Sequence, residues 1–236
     1  MTTKLDMPER LLISMDDARG LERRKLLNYD DYTLSKGVDY EHTSDFVKNT
    51  MYRRYNESDD SSQWKAKCGI FQAHINALQY IVDKKKDNVI ILEDDSFYEP
   101  PECVILPEDA PCLLNGKLCH PTAWKKNIEF VKDKVDDILN TFTSSLHEID
   151  YDTYRWSGAF AIYYPKWENA RSILDFIYKS GKKLTHFDIY LAKNRLVKYL
   201  HYPSIYTHDD TLTKGKCGGY EGFIKNYKIN DTHITS

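Results

Sequence analysis

The stretch Val89-Ile90-Ile91-Leu92-Glu93-Asp94-Asp95 places four apolar residues directly before three carboxylates. An apolar run without polar alternation is typical of a strand buried on both faces, as in a parallel sheet that helices cover. In open α/β sheets, ligands bind in the crevice at the carboxyl ends of the strands. The sequence therefore predicts an α/β fold with these carboxylates at the ligand-binding edge of its sheet.

The three carboxylates also indicate a kind of chemistry. Neighbouring carboxylates repel one another unless a cation lies between them, and oxygen ligands favour hard cations such as Mg²⁺, Mn²⁺ or Ca²⁺. Metal-assisted chemistry on a phosphorylated substrate is the functional interpretation. A solvated acidic turn after a strand is the alternative.

Length and composition limit the class of protein. A chain of 236 residues is long enough for one sizeable α/β domain or two small ones, and 41% hydrophobic residues are enough for a packed core. The net charge of −3 offers no general attraction to nucleic acid.

We see neither an apolar run of membrane-spanning length nor an N-terminal signal region. Five cysteines without a CxxC motif make a poor disulfide framework. We therefore expect a cytoplasmic enzyme without a transmembrane segment.

The residues before the apolar run predict a strand and two helices. Residues 10–15 read as a first strand, followed by a turn and a helix that begins near Leu21, and residues 38–40 as a possible short strand. From about Gln63, apolar residues recur at spacings of three and four, which predicts an amphipathic helix. Its apolar face contains Phe71, Ile75, Leu78 and Val82. His74 lies on the same face, and we interpret it as a core residue rather than a ligand.

The residues after the carboxylates predict a loop and more α/β structure. Residues 96–121 are rich in proline and show no periodicity, so we expect a long loop. Helices are predicted at residues 122–138 and 165–180, and strands at residues 154–164 and 196–202. Gly158 interrupts its strand and marks a bulge or a close approach to the backbone. We find neither a repeat nor a linker, which favours a single domain.

Two side chains from the second half of the chain join the carboxylates as candidates. Asp188 lies at the predicted start of a short helix, where it is either a general base or an N-terminal cap or charged first-turn residue. His208 follows the last predicted strand and is either a metal ligand or a surface histidine. Asp209 or Asp210 would orient it if it binds a metal.

Basic residues follow the first predicted strand. A guanidinium group fits phosphate oxygens, so an arginine there is a candidate phosphate ligand. Only Arg19 is close enough to the end of the strand to be included, and Arg23 and Arg24 are interpreted as part of a solvated face.

Five features follow one another between about residues 10 and 210. They are an opening strand at residues 11–15 with an arginine-bearing loop after it, Gly69-Ile70-Phe71-Gln72-Ala73-His74, the acidic run at residues 90–95, the small-residue strand at residues 156–162, and the segment at residues 185–191. In this order they resemble glycosyltransferase family 25, which contains lipopolysaccharide-biosynthesis sugar transferases and procollagen galactosyltransferases. The acidic run matches closely. Ile70 and Ala73 replace the Cys and Ser of the family's Gly-Cys-x-x-Ser-His helix start.

The resemblance implies a GT-A fold, a Rossmann-like sandwich with a central, mostly parallel sheet flanked by helices. The single domain would span residues 1–236, with a nucleotide-binding half at about residues 10–95 and an acceptor-binding half at about residues 122–236. It would use Mn²⁺ or Mg²⁺ and a nucleotide sugar, with UDP as the expected nucleotide, and a glycan or glycoprotein acceptor. The absence of a secretory signal favours a bacterial-type or viral enzyme over the luminal collagen-modifying members.

The resemblance also implies roles for individual residues. Asp95 would bind the metal and His208 would complete its shell, although the family commonly has Gln near that position. Asp188 would be the general base of an inverting transfer. The expected donor-binding residues are Ser14, Arg19, Glu93, Asp94, Ser157 and Gly158.

Two other functions are consistent with the same sequence. A metal-dependent phosphoesterase or nuclease would use the acidic run, but it needs more carboxylates to hold two ions. A non-catalytic carbohydrate-binding module would keep the fold and lose turnover.

Overall fold

The computed structural model describes residues 8–52, 61–119, 142 and 145–208, which form a mixed α/β architecture. The strands are β1 Glu9–Ser14, β2 Tyr32–Lys36, β3 Val89–Glu93, β4 Ser96–Tyr98, β5 Cys112–Cys119, β6 Leu146–Glu148, β7 Arg155–Tyr164, β8 Tyr199–His201 and β9 Tyr206–His208. The helices are α1 Ala18–Leu26, α2 Asp45–Thr50, α3 Ser62–Lys84, α4 Trp167–Lys179 and α5 Phe187–Lys193, with a 3-10 turn at Tyr40–His42.

Within these residues, seven strands form one sheet in the order β2-β1-β3-β7-β5-β8-β6, and β4 pairs with β9 in a separate ribbon. The sheet is mixed, because three of its six pairings are parallel and three are antiparallel. The predicted α/β class is confirmed. β3 lies between β1 and β7, and its first four residues are buried, as the apolar run predicts. Strands from both halves of the chain therefore share one sheet.

The two faces of the sheet bury separate apolar cores. Successive side chains of a strand point to opposite faces, so alternate residues of β1 and β3 enter different cores. Leu11 and Ile91 pack with residues of α3, α4 and α5 on one face. Leu12 and Ile90 pack on the other face, where Tyr206 of the β4–β9 ribbon is buried. We call these the helix face and the ribbon face.

The predicted helices that the structure describes are confirmed. Ser61 caps α3 by accepting a hydrogen bond from the Trp64 amide, and Lys85 ends the helix in the left-handed conformation. The predicted apolar face of α3 is buried or half-buried against the core. α4 ends just before Gly181, whose φ is +65°. The motif at residues 69–74, which resembles a helix start, lies instead in the interior of α3.

Two predicted strands differ from the observed ones near β2 and β8. The chain forms β2 at Tyr32–Lys36, whereas residues 38–40 lie across α3 and lead into the 3-10 turn. The last predicted strand shortens to Tyr199–His201, and β9 follows it. The prediction of a strand at residues 38–40 is therefore wrong, because this segment packs on a helix instead of pairing with a strand.

The proline-rich segment at residues 96–121 is not the structureless loop that the sequence suggested. It contains β4 and β5, and β5 lies between β7 and β8 in the main sheet. β4 has three residues, too few to produce a readable alternation, and β5 begins directly after a proline. The predicted helix at residues 122–138 lies outside the described residues.

Gly69 allows α3 to lie against the segment that follows β2. A Cβ atom at Gly69 would come within 2.2 Å of the Val38 carbonyl oxygen, which is backbone and has little freedom to move. We expect Gly69→Ala to lower the free energy of unfolding by about 1–3 kcal/mol through this overlap. In an unobstructed helix the same change would stabilise by about 1 kcal/mol.

Urea unfolding of Gly69→Ala and of Ile70→Ala measures the difference. Ile70 is the next residue of α3 and is 50% exposed, so its truncation should change stability by only about 0.5 kcal/mol. A Gly69→Ala protein as stable as the unmodified chain would contradict the close approach.

Candidate functional site

The candidate site lies where β1 and β3 end. These parallel strands stop at Ser14 and Glu93, so their carboxyl ends meet at one edge of the sheet. β7 runs antiparallel beside β3, with Ala161 opposite Leu92, which brings the earlier residue Gly158 of β7 towards the same edge. We call this region the carboxyl edge. The structure thus brings together candidates from both halves of the chain.

Glu93 points to the helix face and contacts His74 of α3. The His74 Nε2 atom lies 3.0 Å from Glu93 Oε1, and the imidazole is 1% exposed. Burial lowers the pKa of His74 to about 3, because the cation would lose its hydration, and the nearby charge of Asp188 opposes this only in part. The imidazole is therefore neutral near pH 7, and its Nε2–H donates to the Glu93 carboxylate. The sequence analysis placed His74 in the core but did not foresee this contact.

Asp94 points to the ribbon face and contacts the end of β1 and helix α1. Its Oδ2 accepts a hydrogen bond from Ser14 Oγ at 2.8 Å, and its Oδ1 accepts one from Arg23 Nη1 at 2.7 Å. Arg24 Nη1 donates to Ser14 Oγ at 2.9 Å and to the Met15 carbonyl oxygen at 2.7 Å. Ser14 and Asp94, two predicted donor-binding residues, are therefore hydrogen-bonded to each other.

The arginines of α1 are arranged differently from the prediction. Arg19 is exposed on α1, whereas Arg23 and Arg24 are half-buried and reach the strand ends. Helical side chains point back towards the N-terminus, so a residue covers the turn that precedes it. This property explains how arginines further along α1 reach the strand ends. Gly20 lets α1 approach closely, since a Cβ there would lie 1.9 Å from the Met15 carbonyl oxygen.

The acidic run does not crowd around a single point. Glu93 and Asp94 point to opposite faces and have separate protein partners, which offset the repulsion that the sequence analysis assigned to a cation. Across the described part of the chain, no three His, Cys, Asp or Glu side chains are grouped as metal ligands. Asp95, the third member, is 3% exposed.

The β4–β9 ribbon places His208 near Asp95. Ser96 directly follows Asp95 and pairs with His208 across the ribbon. Ser96 Oγ also donates to the Phe160 carbonyl oxygen of β7 at 2.7 Å, which ties the ribbon to the main sheet. The ribbon therefore brings the backbone of His208 opposite the residue that follows Asp95. The His208 side chain and residues 209–210 lie outside the described residues, so the metal site stays a prediction.

A buried arginine on the ribbon face holds the ribbon in place. Arg10 is 5% exposed, forms an ion pair with Asp31, and donates from Nε to the Tyr206 hydroxyl at 2.9 Å. Tyr29 lies beneath the guanidinium and donates its hydroxyl hydrogen to the Ser96 carbonyl oxygen at 2.9 Å. These contacts fix the residue that follows Asp95.

Asp188 lies on the first turn of α5 and contacts β7. Its Oδ2 accepts a 2.6 Å hydrogen bond from the Gly158 amide. The residue at the N-cap of α5 is His186, and Asp188 is a charged residue of the first turn, which is the structural alternative that the sequence allowed. Gly158 has a φ of +84°, and the β5–β7 register shifts between the Lys117–Ser157 and Asn115–Ala161 pairs. The predicted bulge is confirmed, and it presents the amide that holds Asp188.

Comparison with known proteins adds no family to this geometry. Neither a scan against protein-family models nor a search of curated proteins found a match for this chain. Separately, none of the helices in the described ranges has the length and apolarity needed to cross a membrane.

The Asp94–Arg23 contact predicts a measurable coupling. The side chains are 10% and 17% exposed, so water screens their attraction less than at the surface. We expect a double-mutant cycle of Asp94→Asn and Arg23→Gln to give a coupling of about 1–2 kcal/mol in urea unfolding. The exposed pair Asp175 and Lys179 of α4 is the control, with an expected coupling below about 0.5 kcal/mol. Equal couplings in the two cycles would contradict the difference in burial.

The buried His74 predicts a pH dependence of stability. Because its pKa falls from 6.5 when unfolded to about 3 when folded, the unfolded chain binds a proton that the folded protein excludes within this window. The contribution of His74 to the free energy of unfolding is therefore complete above pH 6.5. It is lost as the pH falls towards 3, by up to about 1.4 kcal/mol per pH unit.

The matched control is His74→Gln, which has no titrating group at this position. Urea unfolding between pH 7 and pH 4 should show a steeper loss for the unmodified protein than for the variant. Parallel pH profiles would mean that folding does not lower the pKa of His74.

Proposed function

We propose that this protein is a metal-dependent glycosyltransferase that moves a sugar from a nucleoside diphosphate sugar to a hydroxyl group of a glycan or glycoprotein. The observation that carries the proposal is the β3–β7 pairing, which puts the acidic run and the Asp188–Gly158 contact at one edge of the sheet. Such a reaction needs anionic ligands for a cation at the diphosphate and a separate base for the acceptor. UDP is the first nucleotide to test.

The donor atoms at the carboxyl edge suit Mn²⁺ or Mg²⁺. Asp95 supplies carboxylate oxygens, and the pairing of Ser96 with His208 puts an imidazole-bearing residue next to it in the ribbon. These two residues would hold the ion. When bound, it neutralises the charge that develops on the diphosphate leaving group.

The residues around Asp95 have separate roles in binding the nucleotide-sugar donor. Glu93, oriented by His74, accepts hydrogen bonds from donor hydroxyl groups. Asp94 fixes Ser14 and Arg23 at the end of β1, and the resemblance implies that it also contacts the donor, directly or through water. Arg19, exposed on the first turn of α1, flanks the nucleoside. Ser157 stays a predicted donor contact, because its side chain lies outside the described part of the structure.

Asp188 removes the acceptor proton. Its carboxylate is oriented by the Gly158 amide, since hydrogen bonds to ionised groups are short and strong. As the acceptor oxygen attacks the anomeric carbon, its proton passes to Asp188 and the bond between the sugar and the diphosphate breaks. Attack from the face opposite the leaving group inverts the configuration. A positioned base of this kind contributes about 10²- to 10⁴-fold in rate.

The two alternative functions fit the geometry less well. A phosphoesterase with two ions needs several carboxylates directed at neighbouring points, whereas Glu93 and Asp94 point to opposite faces of the sheet. A carbohydrate-binding module does not need a base, and a base is the role that we propose for the Asp188 carboxylate. A measurement of sugar transfer distinguishes such a module from an enzyme.

Calorimetric titration with UDP and Mn²⁺, followed by a chelator, tests the proposal directly. We expect binding that requires the metal, and then hydrolysis or transfer with one of a panel of UDP-sugars. Lack of binding to UDP, GDP and CMP with or without metal would overturn the proposed function.

Two substitutions separate binding from chemistry. Asp95→Ala should abolish metal-dependent UDP binding, because it removes the carboxylate that binds the ion. Asp188→Ala should leave UDP binding intact and lower kcat by about 10²- to 10⁴-fold, because it removes only the base. Calorimetry measures the first effect, and steady-state kinetics measure the second.

Asp83→Ala, at the exposed end of α3, is the control for removing a carboxylate and should behave like the unmodified protein. Near-normal turnover in Asp188→Ala would contradict the assignment of the base. Metal-dependent binding that survives in Asp95→Ala would contradict the assignment of the metal ligand.

A further inference from the structure

His74 lies between the two parts of the proposed site. On one side its Nε2–H donates to Glu93 Oε1 at 3.0 Å. On the other side its ring stacks on Phe187, with 4.0 Å between ring centroids and 9° between ring planes. Phe187 is the first residue of α5 and directly precedes Asp188. A single imidazole thus contacts a donor-binding residue and the neighbour of the base.

The hydrogen bonding of His74 is incomplete in a way that a packing role does not explain. Its Nδ1 atom is buried and makes no hydrogen bond within the described part of the chain. An apolar side chain of similar size would avoid burying an unpaired acceptor and would pack equally well against Phe187. The Nε2–H bond to Glu93 is what the imidazole adds at this position.

The neutral state of the imidazole also matters for its hydrogen bond to Glu93. Burial keeps the pKa of His74 far below its usual range, so the side chain donates a hydrogen bond without bringing a positive charge. One oxygen of Glu93 is therefore held in place by a neutral donor.

We infer that His74 is a positioning residue, which orients Glu93 for the nucleotide-sugar donor and, through its stack on Phe187, supports the turn that carries Asp188. This inference rests on the proposed function and adds a residue to its machinery. His74 touches neither the donor nor the acceptor and acts through the two residues that it contacts.

Two substitutions of His74 separate positioning from packing. In His74→Gln, the side-chain amide keeps an N–H donor at about the reach of Nε2, whereas His74→Leu fills the space without a donor. We expect His74→Leu to raise the donor KM and the Kd for UDP with Mg²⁺ about tenfold. His74→Gln should stay within about threefold of the unmodified protein in both quantities.

Thermal unfolding of the same variants gives a readout that a packing role would move differently. The positioning role predicts that His74→Leu at pH 7 is about as stable as the unmodified protein, because the lost Nε2–H bond to Glu93 is offset by removal of the buried, unpaired Nδ1. A loss of stability in His74→Leu with unchanged donor KM would overturn the inference.

Phe187→Leu tests the link to the base. It removes the stacked ring while leaving His74 and Glu93 in place, so we expect a lower kcat with an unchanged Kd for UDP. Tyr178→Leu, which changes a half-exposed aromatic residue of α4, is the control and should alter neither quantity. An unchanged kcat in Phe187→Leu would overturn the part of the inference that concerns Asp188.

A spectroscopic measurement on the unmodified protein is independent of how the variants fold. Nitrogen NMR of protein with labelled histidine should show His74 neutral, protonated at Nε2, and shifted when UDP and Mg²⁺ are added. Protonation at Nδ1 would overturn the inference, because Nε2 could then not donate to Glu93. The failure of the unmodified protein to bind any nucleotide overturns the proposed function instead, so the two failures are distinguishable.

Discussion

Successive side chains of a strand point in opposite directions, and this alternation determines which groups each residue of the acidic run contacts. Glu93 is the last residue of β3 and points to the helix face, where the available partner is a buried imidazole. Asp94 comes next and points to the ribbon face, where Ser14 and an arginine of α1 meet it. Because consecutive side chains diverge, two of the three carboxylates are satisfied by protein groups on opposite sides of the sheet. The site is therefore organised around the turn at Asp95 rather than around a cluster of three equivalent acids.

The position of that turn depends on a charge buried on the neighbouring strand β1. A guanidinium inside a protein must be paired and hydrogen-bonded, or its desolvation is very costly. Arg10 meets this requirement with Asp31, Tyr206 and the ring of Tyr98, 4.7 Å from the guanidinium carbon. Two of these partners belong to β4 and β9, so the requirement that Arg10 be paired also fixes the ribbon that follows Asp95. The burial of one cation on β1 thus sets the geometry of the carboxyl edge.

Strong local patterns were sufficient to predict β1, β3, α3 and α4, and one glycine was sufficient to predict the bulge at Gly158. Each has a signal carried by neighbouring residues: an unbroken apolar run, a period of three to four, or a residue with special backbone freedom. β4 and β9 were missed because three-residue strands exist only through their pairing with each other. The roles of Arg23 and His74 were missed for a related reason. Their partners are 71 and 19 residues away in the chain, so only the folded structure brings each pair together.

The two partners of the acidic run differ in charge, and the difference has a consequence under the proposed function. Arg23 brings a full positive charge to Asp94, which lowers the negative potential on the ribbon face. A cation at position 74 would likewise lower the negative potential at Glu93, and under the proposed function the carboxyl edge would then attract a divalent ion less strongly. Burial prevents this, because it holds the pKa of His74 well below its usual range and leaves a donor without charge. The structure thus pairs Asp94 with a cation and Glu93 with a neutral donor, on opposite sides of the strand.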